Sequence, residues 1–393
     1  MTYNIAIAGA GIGGLTAAAL LAKQGHRITV FDQFDKPRPV GSGLVIQPVG
    51  QAVLDEIGAG NAARAKGNAV LRMLGHDASN GRRVLDVTYD HDPEGTNYGL
   101  AIHRAALFDV IMKAAVTAGA EIQPSHTVTA YENGVLTFEN CAPRGPFDLV
   151  IDSSGVSSPL SPITASPLPY GAIWGTVPWK ECGLPRNQLT QVYRRADRMI
   201  GIMPSGSLPG SDEQQAAVFW SMPRDGYDAW RAAPLTDWLA EVASLWPQAA
   251  PIFEQITSHD QMTMARYSHG TLRKPYGDRL AIIGDAAHKA SPQLGQGANM
   301  AMLDASALAK AIAQHPLQQA LPAYAMARRW HVRIYQAMSR SFTPQYQSDS
   351  RILPVLRDRI LFPVSQLPPI PRLLTRLVRG DMIPPMASLT SRG

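Results

Sequence analysis

The rhythm of apolar and polar positions changes several times along the chain. Ile5-Ala6-Ile7-Ala8 is an unbroken apolar run, as in a strand buried on both faces, and predicts a strand over 4–8. From Leu15 the sequence is rich in Ala and Leu and predicts a helix over 15–24, ended by Gly25. β-branched Ile28, Thr29 and Val30 predict a second strand over 27–31. Further helices are predicted over 51–56 and 105–118. Between 162 and 267 the pattern turns to alternating, Trp- and Tyr-rich segments such as 171–179 and 216–222. A buried strand returns over 280–283, and a long helix follows over 297–314.

Strand, turn, helix and strand at the start, and a matching strand and helix far downstream, predict an α/β fold, α+β overall. A Rossmann-like unit made of 1–66, 101–160 and 270–340 is interrupted by a sheet-rich substrate unit, 67–100 and 161–269. The remainder, 341–393, carries many prolines between short helical stretches and reads as a C-terminal helical cap.

Composition narrows the function classes. Apolar residues make up 45% and charged residues 17%, a globular balance that excludes a disordered chain. The net charge is +5, but the basic residues are scattered except towards the C-terminus, which argues against nucleic acid as a partner. Cys141 and Cys182 match no metal spacing, so no metal site is expected and both read as reduced thiols. No apolar run has the ~18 residues of a membrane span, and the chain opens on a strand rather than a signal core. The expectation is a cytoplasmic protein, monomer or homodimer. In 351–379, Arg351, Arg357, Arg359, Arg372, Arg376 and Arg379 alternate with Leu, Ile and Val, broken by prolines. The plain reading is a cap packed on the first unit. The sharper one is peripheral contact with a membrane or a lipophilic substrate.

Gly9-Ala10-Gly11-Ile12-Gly13-Gly14 fits G-x-G-x-x-G between a strand and a helix. Gly9 permits the tight turn, Gly11 lets the backbone approach a pyrophosphate, and Gly14 lets helix and strand pack closely. The N–H groups at the helix start then face the phosphates. Asp32, with Gln33 beside it, closes the second strand where a carboxylate can accept from a ribose diol. This turn alone does not separate NAD from FAD. A second signature lies at Gly284-Asp285, followed by Pro292 and by Gly295-Gln-Gly297-Ala298-Asn299. A strand ending in an acid and a glycine-rich loop opening a helix repeat the logic of the first turn.

With these residues the chain resembles the flavoprotein aromatic hydroxylases, the family of para-hydroxybenzoate and salicylate hydroxylases. The resemblance implies non-covalent FAD on the first unit, with Asp285 accepting from ribityl hydroxyls and the 295–299 loop facing the flavin pyrimidine. It assigns Arg104, in Ile102-His103-Arg104-Ala105-Ala106-Leu107, to the ribityl or pyrophosphate, and Val128 to the adenine pocket. Gly41-Ser42-Gly43-Leu44-Val45 matches the segment along which the flavin lies, and Pro292 a proline beside flavin and substrate. Gln47, just after that segment, is a candidate for the flavin face, with exposed turn residue as the alternative. One motif departs: Ser154, before Gly155, stands where an Asp is expected, and Ser161 where an Arg is common. That loss puts the nicotinamide partner in doubt, not FAD.

The resemblance implies a monooxygenase that uses NAD(P)H as a transient co-substrate and O2 to hydroxylate a small aromatic or lipophilic molecule, through a flavin C4a-hydroperoxide. No second G-x-G-x-x-G marks a separate nicotinamide domain. The alternatives are a flavin dehydrogenase or reductase that does not use oxygen, or a flavoprotein with an impaired nicotinamide half-reaction. Pocket candidates are Tyr98, Trp174, Trp220, Phe219 and Met203, each with core packing as its plain reading. His76, His103 and His288 are possible bases, and none is singled out.

Overall fold

The structure, a computed structural model, describes residues 2–36, 42–90, 96–386 and 389. Its first layer is a six-stranded sheet in the order Tyr276–Gly277, Leu280–Ile282, Leu149–Asp152, Asn4–Ala8, Arg27–Phe31, Glu121–Gln123. All neighbours are parallel except the first pair. Buried on both faces, its strands carry continuous apolar runs: Ile5, Ala6, Ile7 and Ala8 are all fully buried. One face is covered by the helices Ile12–Lys23, Arg104–Thr117 and Gly297–Gln314, which share its main cluster.

The first helix begins at Ile12, three residues before the predicted start, so Gly13 and Gly14 lie inside it. Glycine is a poor helix former mid-helix, but in the first turn close approach matters more. The helix predicted over 51–56 begins at Pro48, whose fixed φ and missing N–H suit a first helical position. Val128 opens the strand Val128–Glu132, which pairs with Val135–Phe138 in a hairpin beside the main sheet.

The second layer is an eight-stranded sheet in the order His288–Lys289, Met262–Thr271, Ser166–Pro178, Gln214–Pro223, Arg198–Ser207, Gln188–Arg194, Arg72–Asp77, Arg83–Thr88. Alternation along Gln214–Pro223 divides its two faces. Ala216, Val218, Trp220 and Met222 pack with Trp230, Trp238 and Trp246 of a helical layer over 227–253. Ala217 and Phe219 point the other way, towards the first unit. The sequence pattern read 162–267 as sheet-rich. Trp230 and Trp238 in fact sit on helices, with Trp246 in the turn just after the second, and their aromatic content mimicked a strand signal.

A small sheet, Gly43–Ile46, Gly99–His103 and Asn68–Val70, joins the layers. The helix Leu317–Tyr346 runs for 30 residues, through Pro322 and Pro344, across position 340 where the proline pattern suggested a break. The helix Ile370–Arg379 then folds back, and its Thr375 hydroxyl donates to the Thr88 carbonyl at 2.8 Å.

Candidate functional site

At the carboxyl ends of the parallel strands a cavity of about 620 Å³ opens. Its walls are the Gly9–Ile12 turn, Asp32 and Gln33, Arg104, 126–129 including Val128, and the 153–155 turn including Gly155. This is the crevice where open α/β sheets take ligands, and its volume lies within the ~300–1,000 Å³ of small-molecule sites.

The glycines of the first turn divide by what a side chain would meet. Gly9 has φ +101° and would press a Cβ to 2.8 Å from the Ser153 carbonyl. At Gly14 a Cβ would lie 2.1 Å from the Gly9 carbonyl and 2.4 Å from the Ser153 hydroxyl. At Gly13 it would lie 3.2 Å from Ala301 Cβ. These three glycines serve packing. At Gly11 a Cβ would meet no protein atom within 4 Å, so Gly11 keeps open a space on the cavity wall at the positive end of the helix Ile12–Lys23. Gly297, the first residue of the helix Gly297–Gln314, is open in the same way.

Asp32 is oriented by backbone donors. Its carboxylate accepts the Ala10 N–H at 2.7 Å and the Phe34 N–H at 3.0 Å, which leaves further lone pairs to the cavity. The side chains of Arg104 and Asp285 form no hydrogen bond or ion pair among the described residues, and both residues are exposed. Protein crowds both groups. Burial lowers the Arg104 pKa against the pull of Asp285. Burial also raises the Asp285 pKa, against His288, Arg104 and Lys289. Two charged groups are thus held half-desolvated without partners, an arrangement that costs stability unless a ligand supplies the missing bonds.

The 295–299 loop is tied to the strand opposite it. Asn299, fully buried, accepts the Gln47 N–H at 2.8 Å through Oδ1 and donates through Nδ2 to the carbonyls of Gly295 (2.9 Å) and Val45 (3.2 Å). Gln47 is fully buried, and neither side-chain amide atom has a hydrogen-bond partner of good geometry. The Tyr89 hydroxyl is close to it and equally unpaired. Its Nε2 lies on the Gly295 side, where a Cβ would approach it to 3.2 Å. Gln47 is therefore no exposed turn residue. Pro292 opens the short turn Pro292–Leu294 that leads to Gly295 at φ +60°, and Ala298 packs against the main core. Gly43 presses onto the second sheet, where a Cβ would lie 2.8 Å from Ala217 Cβ, and Val45 packs with Met203 and Ala217. Gly41 lies outside the described residues.

A buried network that sequence reasoning missed carries the Gly284–Asp285 turn. Asp304 accepts the Gly284 N–H (2.9 Å) and His288 Nε2 (2.6 Å) on one oxygen, and Arg328 Nε (2.7 Å) on the other. Burial opposes its charge, but His288 and Arg328 outweigh it and bring its pKa to about 2. Burial likewise disfavours charge on His288, and Asp304 overrides it, raising that pKa. Arg328 continues to His331 Nδ1 at 3.2 Å, and His331 Nε2 donates to the Gly380 carbonyl at 2.9 Å. The available signal was one Asp on the apolar face of an Ala- and Met-rich helix, since a buried carboxylate has to be paired.

The histidine candidates resolve accordingly. His288 is an ion-pair partner in this network. His103 caps the helix Arg104–Thr117 by accepting the Ala105 N–H at 3.1 Å. His76 lies on the strand Arg72–Asp77, and burial lowers its pKa. Of the pocket candidates, Met203, Phe219 and Trp174 lie on the sheet face towards the first unit. Trp174 stacks on Phe219 (4.5 Å) and donates to the Tyr267 hydroxyl (2.8 Å). Gln293 reaches Met199 on the same face, Nε2 to Sδ 4.0 Å. Trp220 faces the helical layer on the other side, and Tyr98 lies by the helix Pro48–Ile57, its carbonyl accepting from Gln51.

Where the usual Asp is missing, Asp152 does not take its place. Its carboxylate is fully buried and accepts from Ser154 N (3.1 Å), Ser154 Oγ (2.5 Å) and Ser158 Oγ (2.6 Å). Ser161 donates to the Ala286 carbonyl at 2.5 Å. Among the described residues no helix is long and apolar enough to cross a membrane, and no acidic, His or Cys cluster could hold a metal.

Comparison with known proteins gives the same picture. The model of the FAD binding domain family matches residues 2–136 and 173–333. The chain is 28% identical to 2-heptyl-3-hydroxy-4(1H)-quinolone synthase of Mycobacteroides abscessus, over 78% of this chain and 81% of that one. It is also 28% identical to kynurenine 3-monooxygenase of Xanthomonas campestris pv. campestris, over 86% and 77% respectively. A variant of HpxO from Klebsiella pneumoniae, solved with FAD, superposes with TM-score 0.81 at 20% identity, covering 97% of this chain and 100% of that one.

Proposed function

The chain belongs to the FAD binding domain family, in its branch of flavoprotein hydroxylases, and on that premise we propose that it hydroxylates a small aromatic or lipophilic molecule with NAD(P)H and O2. One observation carries the reading. The first glycine turn and Arg104 line the cavity, Asp285 of the second turn lies within electrostatic reach of Arg104, and the Gln47 amide beside Gly295 is buried and unpaired; these are groups a dinucleotide flavin would satisfy. The residues fit FAD. Gly11 leaves phosphate room, Asp32 is turned for a ribose, and Arg104 offers charge to the pyrophosphate or ribityl chain. Asp285 accepts ribityl hydroxyls, and Gly297 and Ala298 offer N–H groups to the pyrimidine edge. Gln33, Val128 and Gly155 line the adenosine half.

When bound, the flavin supplies hydride acceptance from NAD(P)H and activation of O2. The chain's own residues do the rest. Asn299 fixes the distance between the 295–299 loop and the strand Gly43–Ile46, so the two elements that would hold the ring are joined through one side chain. Met203, Phe219 and Trp174 form an apolar ceiling that excludes water from the reacting face. Pro292 and Gln47 face the same space, Pro292 as a rigid wall and Gln47 as a hydrogen-bonding group. Of the named relatives, one is a synthase of a hydroxyquinolone and the other a monooxygenase of kynurenine. The proposed substrate here is of that class, flat and conjugated.

The test is direct. Purified protein should show flavin absorbance and release FAD on denaturation. NADH or NADPH with a panel of phenolic, quinolone and anthranilate-type compounds should then give oxygen uptake matched by hydroxylated product. Flavin reduction with no oxygen incorporated into any compound would favour the dehydrogenase reading.

A further inference from the structure

The helical run 353–365 is built inside out. Three turns, Leu353–Leu356, Arg357–Leu361 and Phe362–Ser365, follow one another without a break. Ile352, Leu356, Ile360 and Val364 recur every four residues, one helical face. That face points to solvent: Ile352 is 78% exposed, Ile360 54%, and Leu367 just beyond the run 60%. The inward side carries the charge instead. Arg357 is 1% exposed, with its guanidinium over the rings of Tyr193 (5.1 Å) and Tyr346 (5.0 Å). It donates to the carbonyls of Arg195 (3.1 Å) and Gln345 (2.9 Å). Anchored by those bonds, the helix is not free to roll and hide its apolar stripe. The adjoining helix Ile370–Arg379 buries Leu377 and Val378 and adds Leu373 to the exposed side.

The charges around the stripe decide what covers it. Arg351, Arg359, Arg372 and Arg376 are exposed. The acids of the segment are already engaged: Asp358 accepts Arg357 Nε at 2.6 Å and Asp349 accepts the Tyr170 hydroxyl at 2.6 Å. A second copy meeting this face across a two-fold axis would set arginines against arginines. An apolar stripe edged by cations is complementary to acyl chains under an anionic headgroup layer. We propose that the surface 352–373 docks the protein on anionic lipid, with Ile352, Leu356, Ile360, Val364, Leu367 and Leu373 at the acyl boundary and the arginines at headgroup phosphates. The proposal is independent of the monooxygenase reading.

The experiment is flotation of the full-length, FAD-loaded protein with phosphatidylglycerol/phosphatidylcholine vesicles and with pure phosphatidylcholine vesicles. Binding to the anionic vesicles, reduced several-fold by high salt, is expected. The pair Ile360→Glu/Leu367→Glu should abolish it. The pair Arg359→Ser/Arg372→Ser should weaken it by roughly 25-fold, about five-fold (about 1 kcal/mol) per arginine. All four positions are exposed, and unchanged circular dichroism and FAD content would verify the fold. Wild-type protein that stays with the unbound fraction at low salt would overturn the proposal. So would binding that both variants retain. Self-association of wild type that Ile360→Glu/Leu367→Glu disperses, without flotation, would assign the stripe to a second copy instead.

Discussion

Asn299 holds Gln47 from behind: its Oδ1 accepts the Gln47 N–H at 2.8 Å while its Nδ2 bonds the carbonyls of Gly295 and Val45. One side chain thereby sets the separation of the two elements between which the flavin ring would lie. Asn299→Asp keeps the acceptor and loses both donors. Asn299→Leu loses all three bonds and strands a buried N–H, at about 1–3 kcal/mol. The expected order of FAD affinity, read by titration of apoprotein, is wild type, then Asn299→Asp, then Asn299→Leu, with at least roughly ten-fold between the extremes. Equal affinities would remove Asn299 from the site.

The glycines of the first turn are expected to separate binding from folding. Gly11→Val places a side chain where no protein atom lies within 4 Å, so the melting temperature of the apoprotein should hardly change while FAD binding is lost. Gly14→Ala drives a Cβ to 2.1 Å from the Gly9 carbonyl, which no side-chain movement relieves. It should cost about 3 kcal/mol in denaturant unfolding of the apoprotein.

Asp285 and Asp152 should differ in kind. Asp285 has no hydrogen-bond partner to lose and is held against desolvation, so Asp285→Ala should leave the apoprotein at least as stable as before and weaken FAD by roughly ten-fold or more. Asp152 accepts three hydrogen bonds in a fully buried position, so Asp152→Ala should destabilise the fold first. FAD titration and urea melts on both variants separate the two effects. A reversed pattern would exchange the two assignments.

The parts of this fold that were legible share a feature. The strand Asn4–Ala8, the glycine turn, Asp32 and the helix Gly297–Gln314 are local patterns in which residue type and spacing meet one physical need. What stayed hidden depends on contacts far apart in sequence. Asp304 reaches His288 and Arg328, sixteen and twenty-four residues away, and Arg357 reaches Arg195 across 162. Trp220 and Phe219 are adjacent and equally aromatic, and only the register of their strand sends one to the helical layer and the other towards the first unit. His103 stands among three possible bases by its type alone, whereas its position before a helix makes it a cap.

His331 gives the chain a pH dependence of known sign. Burial and the Arg328 guanidinium lower its pKa to about 3, and its Nδ1 accepts from Arg328 while Nε2 donates to Gly380. Protonating Nδ1 would set an N–H against the Arg328 donor. The unfolded chain, with a pKa near 6.5, binds that proton sooner. His331 therefore contributes stability that is complete above pH ~6.5 and declines as pH falls towards 3, by up to about 1.4 kcal/mol per pH unit. The Asp304 carboxylate adds a second loss below its unfolded value of 3.8, continuing to about 2. Urea melts from pH 7 to 4.5 should show a steeper decline for wild type than for His331→Gln, which keeps a donor and an acceptor but does not titrate. Parallel curves would show that His331 is not the titrating group.

The nicotinamide step is where this chain departs from the motif that the family resemblance implies, and the structure changes how that departure should be tested. Ser154 lines the groove where a carboxylate is expected, and its hydroxyl donates to Asp152 at 2.5 Å. A serine cannot hold an arginine or a ribose diol with two oxygens. Anaerobic bleaching of the flavin by NADH or NADPH should accordingly be slow or weakly saturable, with FAD binding near normal. Simple restoration should not repair it. Ser154→Asp would set a second carboxylate against Asp152 in a buried corner, where two such charges repel and one stays protonated. That variant should unfold more easily and bleach no faster. The exchange Asp152→Ser/Ser154→Asp moves the charge to the groove without the conflict, and should bleach faster and saturate at lower nucleotide concentration. Stopped-flow traces of the oxidised-flavin absorbance follow all three proteins under the same conditions. Fast, tightly saturable bleaching of the wild type would show that the missing carboxylate is dispensable. An exchange variant that folds, holds FAD and still bleaches at the wild-type rate would assign the slow step to another part of the chain.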